Sequence, residues 1–376
     1  MNLSMLWVCF SRMRNIEMEE IKVLTPRMPV AGELLPYLEK IDQSKFYTNF
    51  GPLNTELIER LKNVTGFNGM EIVTAANATL ALQGLISTSE APIDAIWDCP
   101  AWTFTATPAA LSQANVDFNF IDISQEGTSL NNSLSQFRVE VWPFGLRPDH
   151  TTVHQNIQRL IIDAAAGFDS VRDFNFPDQI CVAIVVSLHA TKLLGAGEGA
   201  FIVTNDSEWA LRFKSWTNFG IKEGRVSEFV GTNAKLSEYA AAVALASLDS
   251  WPETKKELKR ITEIARGLTL KHGLTSYMCL HEEYVTPYWI LKLDSKSAKE
   301  NFERKAVEAS IQLRDWWGVG CHKLPAYRAI SRDILTNTDE FAATTIGLPF
   351  HSYLKNEDWV RIDTLLSTLT ASDYTQ

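Results

Sequence analysis

Cysteine is scarce and scattered in this chain of 376 residues. The five cysteines are odd in number, and no two stand at the Cys-x-x-Cys spacing of a zinc or redox site. We therefore predict reduced thiols in a cytoplasmic protein, with neither a disulfide framework nor a metal site.

Long apolar runs and basic clusters are missing as well. No apolar run approaches the ~18 residues that a membrane-spanning helix needs. The apolar stretch 3–10 is short and is followed by Arg12 and Arg14, which makes it a poor signal peptide. The net charge of −10 argues against a nucleic-acid partner and against an anionic membrane surface. An acidic protein can still bind phosphate through backbone amides.

Short apolar runs alternate with helical patterns between residues 70 and 205, which predicts an α/β protein with a mostly parallel sheet between two layers of helices. The predicted strands are 71–74, 95–97, 116–121, 158–162, 182–186 and 200–204, and the predicted helices are 78–85 and 105–112. Ligands of such sheets gather at the carboxyl ends of the strands.

The pattern becomes helical from residue 236 to about residue 271, and the last hundred or so residues mix a strand-like segment at 288–293 with helices at 298–309 and 356–369. We interpret residues 1–29 as an N-terminal extension, 30–250 as a large domain and 251–376 as a smaller C-terminal α+β domain.

Lys192 lies in the segment Ser187-Leu-His-Ala-Thr-Lys192, between an apolar run and a glycine-rich turn that leads into a second apolar run. A lysine at the edge of a core is partly removed from water, which disfavours its charged form and makes it a better amine nucleophile for a Schiff base. Asp163 ends another apolar run, 160–163. A buried lysine and aspartate suit pyridoxal phosphate (PLP), whose aldehyde and pyridine nitrogen they would bind. A structural Lys–Asp ion pair explains the pattern about equally well.

Three other segments have weaker signals. Residues 75–80 join a strand to a helix and offer backbone amides to an anion, although a plain N-cap by Asn77 or Thr79 explains them as well. Phe104 follows a strand and would either stack on a cofactor ring or fill a core. The glycines at 195–199 lead into a strand and not a helix, so they do not form a dinucleotide-binding loop.

Taken in order, these segments resemble the DegT/DnrJ/StrS family of sugar-nucleotide aminotransferases, which are PLP enzymes of fold type I. Ser187-Leu-His-Ala-Thr-Lys192 followed by Gly197-Glu-Gly is the specific match. Tyr47-Thr-Asn-Phe-Gly-Pro52 and Pro100-Ala-Trp-Thr-Phe-Thr-Ala-Thr107 add order and spacing.

The resemblance implies roles for individual residues. Lys192 would form the Schiff base and Asp163 would pair with the pyridinium nitrogen. The remaining cofactor contacts would be ring stacking by Phe104, phosphate binding by Ala78, Thr79 and Ser187, and phosphate binding in a neighbouring subunit by Asn233. Arg225 and His322 are candidates for substrate contact.

Three positions depart from the family pattern. Ala166 stands where the family has a glutamine near the ring hydroxyl of the cofactor. Asn77 and Ala78 replace a Gly-Thr or Gly-Ser pair in the phosphate loop. Lys235 replaces an arginine, and lysine cannot reproduce a bidentate contact.

The function that the resemblance implies is transfer of an amino group, with glutamate as donor, to a 3- or 4-keto group of a nucleotide-linked 6-deoxy hexose. It would serve amino-sugar and surface-polysaccharide biosynthesis, such as that of lipopolysaccharide O-antigen, in a homodimer with shared active sites. Sugar dehydratases on the same fold have histidine in place of the lysine, so Lys192 favours transamination. A non-catalytic, PLP-binding regulatory protein is the other alternative.

Overall fold

The computed structural model describes residues 19–129, 135–148, 156–274 and 280–370. Its elements in the first half are, in chain order, α1 (Ala31–Ser44), α2 (Pro52–Thr65), β1 (Glu71–Ala75), α3 (Ala78–Ser87), β2 (Ile96–Pro100), α4 (Ala106–Gln113), β3 (Asp117–Ile121), β4 (Phe137–Val141) and β5 (Arg159–Asp163). In the second half they are β6 (Cys181–Ser187), β7 (Ala200–Thr204), α5 (Ser207–Trp216), α6 (Glu238–Asp249), α7 (Trp251–Lys271), β8 (Trp289–Lys292), α8 (Lys296–Glu308), β9 (Ser331–Arg332), α9 (Thr336–Thr344), β10 (Thr345–Leu348) and α10 (Asn356–Thr370).

Eight strands form one large sheet in the order β1-β7-β6-β5-β4-β2-β3-β9. All neighbours are parallel except β7, which runs antiparallel to both β6 and β1. The central strands are buried along nearly their whole length, because helices cover both faces of the sheet. The predicted three-layer α/β fold with a mostly parallel sheet is confirmed.

Two hydrophobic clusters lie on opposite faces of this sheet. Side chains of α3, α4 and α5 pack on one face. The other face is covered by α2, α6 and the start of α7, and this cluster continues into the small antiparallel sheet of β8 and β10. The continuous core ties the C-terminal segment firmly to the large sheet.

Several contacts cross the predicted domain boundary at residue 250. Strand β9 pairs with β3 as the edge of the large sheet, and the segment that precedes it, with Cys321 and Tyr327, packs against the large-sheet core. At the other end, Ile21 pairs with Ile311, so residues of the predicted N-terminal extension contact the C-terminal region. The division into three parts stays a prediction.

Strand β4 and helix α5 are among the elements that the sequence analysis did not predict. In β4, Arg138 and Glu140 alternate with apolar residues, a pattern typical of a strand with one solvated face, yet Arg138 is only 2% exposed and Glu140 only 8%. Tertiary packing therefore overrode the sequence pattern here. In the part of the chain that the structure describes, no helix has both the length and the apolar composition to cross a membrane.

Candidate functional site

The Lys192 segment is a tight connection between β6 and β7. Leu188 N–H donates to the carbonyl of Gly199, and Ala190 N–H donates to that of Gly197. Both glycines have positive φ (153° and 82°), a backbone conformation that side chains with Cβ rarely adopt. The glycine-rich turn thus folds the chain back on itself and holds Lys192 beside the carboxyl end of β6.

Asp163 ends the neighbouring strand β5 and is 7% exposed. Its Oδ2 accepts a hydrogen bond from Thr107 Oγ1 at 2.7 Å, and its Oδ1 accepts one from Ala165 N at 3.2 Å. Burial raises the pKa of this carboxyl group, while the two hydrogen bonds and the charge of Lys192 lower it. Among the ion pairs of the described residues, none includes Asp163, so a buried acid lies at this sheet edge without a directly bonded cation.

The structure brings together Lys192 and a residue that the sequence did not single out. Lys192 Nζ donates to the hydroxyl oxygen of Tyr288 at 2.8 Å. Tyr288 immediately precedes β8 and is 6% exposed. The sequence marked this residue only as the start of a strand-like segment, because a lone tyrosine carries no sign of its partner.

The N-terminus of α3 faces the loop that contains Asn233. Asn77 caps the helix, since its Oδ1 accepts from Leu80 N at 2.9 Å. Ala78 and Thr79 are the first two helical residues, so their N–H groups have no intrahelical acceptor. The loop that contains Asn233 lies close to this helix start, because Ala76 N, just before α3, donates a hydrogen bond to Ala234 O. Two backbone donors therefore remain for an anion, with the cap supplied by Asn77.

The other predicted residues are placed as follows. Ser187, at the end of β6, is 5% exposed, and its Oγ accepts from His189 N at 3.2 Å. The Phe104 ring is 57% exposed, between β2 and α4, and therefore presents a face to the surroundings. Asn233 is exposed, with its Oδ1 bonded by Lys235 Nζ at 2.7 Å.

The two candidates for substrate contact differ in environment. Arg225 lies exposed in the loop between α5 and α6. His322 is 4% exposed and its Nε2 is bonded to Asp339 at 3.0 Å. Burial lowers the pKa of His322, and Asp339 opposes this shift. The buried His322 ring thus has little surface to offer a substrate.

An aromatic wall, which we define as Trp102, Phe144, Tyr288, Trp316 and Trp317, contacts Lys192 through Tyr288. Ala166 packs in the same cluster. Gly145 approaches it so closely that a Cβ at this glycine would lie 2.5 Å from the Ala166 carbonyl oxygen. The small alanine that replaces the family's glutamine therefore lies against aromatic and backbone atoms.

Metal ligands are the remaining question for this part of the molecule. His150 and His154 stand four residues apart, a ligand-like spacing that the prediction of no metal site overlooked, and both lie outside the described residues. Within the described ranges, no three histidine, cysteine, aspartate or glutamate side chains are grouped so that they could hold a metal ion.

Comparison with known proteins gives consistent matches along most of the chain. A sequence model of the DegT/DnrJ/EryC1/StrS aminotransferase family matches residues 30–138 and 159–366. A dTDP-4-amino-4,6-dideoxy-D-glucose transaminase of Escherichia coli is 26% identical, over 92% of this chain and 98% of its own. Protein Rv3402c of Mycobacterium tuberculosis is 25% identical, over 91% of this chain and 88% of its own.

Two solved structures are similar to this chain in both fold and sequence. DesI, crystallised in the presence of its TDP-sugar product, is 27% identical, with a TM-score of 0.81 over 94% of each chain. A protein of Bacillus cereus ATCC 10987 assigned as a PLP-dependent aminotransferase is 26% identical. Its TM-score is 0.82 over 93% of this chain and all of its own.

Proposed function

The chain belongs to the DegT/DnrJ/EryC1/StrS aminotransferase family, and from this premise we propose that it is a PLP-dependent aminotransferase of nucleotide-linked sugars. The observation that carries the proposal is the pair of Asp163, at the carboxyl end of β5, and Lys192, in the connection that follows the adjacent parallel strand β6. The names of the relatives, which act on dTDP-linked amino sugars or were crystallised with a TDP-sugar, support the substrate class.

The described residues fit PLP on chemical grounds. Burial penalises the charge of Asp163, and a protonated pyridine nitrogen would supply the cation that this carboxylate lacks. Lys192 Nζ would bind the aldehyde carbon. The free N–H groups of Ala78 and Thr79, with the hydroxyl of Ser187, would hold the phosphate at the N-terminus of α3. The exposed ring of Phe104 would stack on the cofactor.

The chain's own residues then divide the chemistry. Bound PLP supplies an electron sink that lets the carbon next to the amino nitrogen release its proton. Asp163 would keep the pyridine nitrogen protonated, and Thr107 and Ala165 hold the carboxylate in place. Lys192 Nζ would take the proton from the amino acid Cα and later give it up, as general base and acid.

Finer features of the proposal rest on the family resemblance. Glutamate is the proposed amino donor, a 3- or 4-keto-6-deoxy hexose linked to TDP or UDP is the proposed acceptor, and the cytoplasm is the proposed location. Asn233, exposed beside the α3 N-terminus, is proposed to reach the phosphate of a second subunit. A monomer at micromolar concentration that retains PLP tightly would contradict this shared site.

The half-reactions test the function separately. Protein loaded with PLP should change its visible absorbance when glutamate alone is added and should release 2-oxoglutarate. TDP- and UDP-linked keto-6-deoxy hexoses, supplied one at a time, should restore the spectrum with only one or two of them. The variant Lys192→Ala should lose at least the ~10²–10⁴-fold contributed by a positioned acid–base group. Lys259→Ala, an exposed lysine on α7, is the matched control.

Three outcomes would contradict the proposal. A dehydratase would begin from the pyridoxamine form and yield a deoxygenated keto-sugar. A binding or regulatory protein would show no spectral cycle. Borohydride reduction that fixes the cofactor to a peptide other than the one with Lys192 would overturn the assignment of the lysine.

A further inference from the structure

The contact between Lys192 and Tyr288 joins residues 96 positions apart in the chain. It is the only hydrogen bond of Lys192 Nζ in the part of the chain that the structure describes, and the same nitrogen lies 5.2 Å from the centroid of the Tyr288 ring. A half-buried lysine could extend into water, so its attachment to a buried phenol needs an explanation.

Two other rings of the aromatic wall fix the ring of Tyr288. Trp316 meets it edge-on, with centroids 4.8 Å apart and planes at 68°. Phe144 meets it at 5.7 Å and 74°. Such edge-to-face pairs leave a ring little freedom, so the hydroxyl of Tyr288 has a defined position beside Nζ.

Further contacts fix the side chains of the aromatic wall. Trp317 stacks on Phe144, with centroids 4.2 Å apart and planes at 16°. Asp315, which precedes Trp316 in the chain, accepts a hydrogen bond at 2.8 Å from Lys299, a lysine only 6% exposed. Phe144 also has a φ of 55°, a backbone conformation that is costly for a bulky residue and that clusters at functional sites.

We propose that Tyr288 is a catalytic residue whose hydroxyl accepts a hydrogen bond from the Lys192 ammonium group and so holds Nζ in position for proton transfer. The inference rests on the proposed aminotransferase function. It assigns to the aromatic wall the task of presenting one polar atom, the Tyr288 hydroxyl, to the reacting amine.

Proton balance follows from the roles of the two groups. The neutral amine of Lys192 takes one proton from the amino acid Cα and becomes an ammonium group. One of its N–H bonds then points at the Tyr288 oxygen, as in the structure, and this charge-assisted bond holds the ammonium group in place. When Nζ gives up its proton, the amine is restored. Tyr288 keeps its own proton throughout.

The first test combines a kinetic measurement with a chemical one. In Tyr288→Phe, kcat for the glutamate half-reaction should fall about 10- to 100-fold with little change in KM, the range expected for a hydrogen bond to a charged group. In the cofactor-free full chain at fixed pH, acetylation of Lys192 by a succinimidyl ester should be several-fold faster, because Nζ is no longer held against the buried hydroxyl of Tyr288.

Internal and matched controls separate this effect from a loss of fold. Lys299, buried in its ion pair with Asp315, should stay protected from acetylation in every sample. Tyr284→Phe removes another buried hydroxyl, which bonds Arg147 N at 3.1 Å, and should change neither kcat nor Lys192 labelling. If Lys299 becomes exposed in Tyr288→Phe, a protein with 3-fluorotyrosine at position 288 is tested in place of that variant. Because 3-fluorotyrosine retains the hydroxyl, this protein should keep most of the wild-type kcat.

The outcomes are distinct. An unchanged kcat in Tyr288→Phe overturns the catalytic role, and unchanged labelling of Lys192 overturns the direct bond. Failure of 3-fluorotyrosine to preserve kcat in a protein with protected Lys299 also counts against the role of the hydroxyl. The labelling needs neither cofactor nor substrate, so it still reports on Tyr288 if the protein proves not to be an aminotransferase.

Discussion

Asp122 and Asp163 are two buried carboxylates that follow parallel strands of the same sheet, β3 and β5, and they are 8% and 7% exposed. Asp122 accepts hydrogen bonds from Asn337 N, Thr338 N and Thr338 Oγ1 at 2.7–2.9 Å. Its oxygens thus cap the start of α9 and are satisfied by a permanent partner. Asp163 accepts from one hydroxyl and one amide, and its pKa is raised by burial. The two carboxylates are almost equally buried, yet Asp122 has a structural role and Asp163 is available for chemistry.

Neutralising each carboxylate in turn should affect the two positions very differently. Asp163→Asn should keep PLP bound but slow the glutamate half-reaction by about 10²–10³-fold, the range for losing one preorganised electrostatic partner. Asp122→Asn should retain the rate per folded molecule. Single-turnover absorbance changes measure both. Normal transamination by Asp163→Asn would make Asp163 a structural strand-end acid like Asp122.

The effects of the two substitutions on stability should be the reverse of their effects on the rate. The pKa of Asp163 is raised in the folded state, so the unfolded chain releases this proton first as pH rises above 3.8. The cofactor-free fold therefore loses stability between pH 3.8 and the pKa of Asp163 in the folded state. Cofactor-free Asp163→Asn should therefore melt at a higher temperature than wild type at pH 7, with the difference vanishing near pH 3. Asp122→Asn should instead be destabilised by about 1–3 kcal/mol through its weakened cap. Calorimetry at the two pH values decides.

The smallest effect concerns the hydroxyl that holds Asp163. Thr107→Val removes a donor that lowers the pKa of Asp163, so the carboxyl group will keep its proton to higher pH. The acid side of the pH–rate profile should move upward, with a loss of about tenfold below the new midpoint. Thr105→Val, whose hydroxyl donates to Tyr327 at 3.3 Å, should leave the profile in place. A profile that moves equally in both variants would point to a general disturbance of this loop.

Sequence patterns predicted the fold well where burial and periodicity are local. The runs that became β5, β6 and β7 are continuous and apolar, and they place Asp163 at the end of β5 and Lys192 in the connection between β6 and β7. Strand β4 was missed although its apolar and charged residues alternate, and only the structure shows that Arg138 is buried. Asn77 and Thr79 were both candidates for the N-cap of α3, and the hydrogen bond from Leu80 N to Asn77 Oδ1 identifies Asn77 as the cap. The N–H groups of Ala78 and Thr79 stay the candidate anion donors.

Local side-chain patterns were enough to place Asp163 at the end of one buried strand and Lys192 shortly after another, because a strand's pattern lies within a few consecutive residues. The partners of each group came only from the folded structure. Tyr288 reaches Lys192 across 96 positions, and the α9 residues that satisfy Asp122 lie about 215 positions away. No local pattern records such partners, since they are chosen by the packing of the aromatic wall and of β9 and α9 against the sheet.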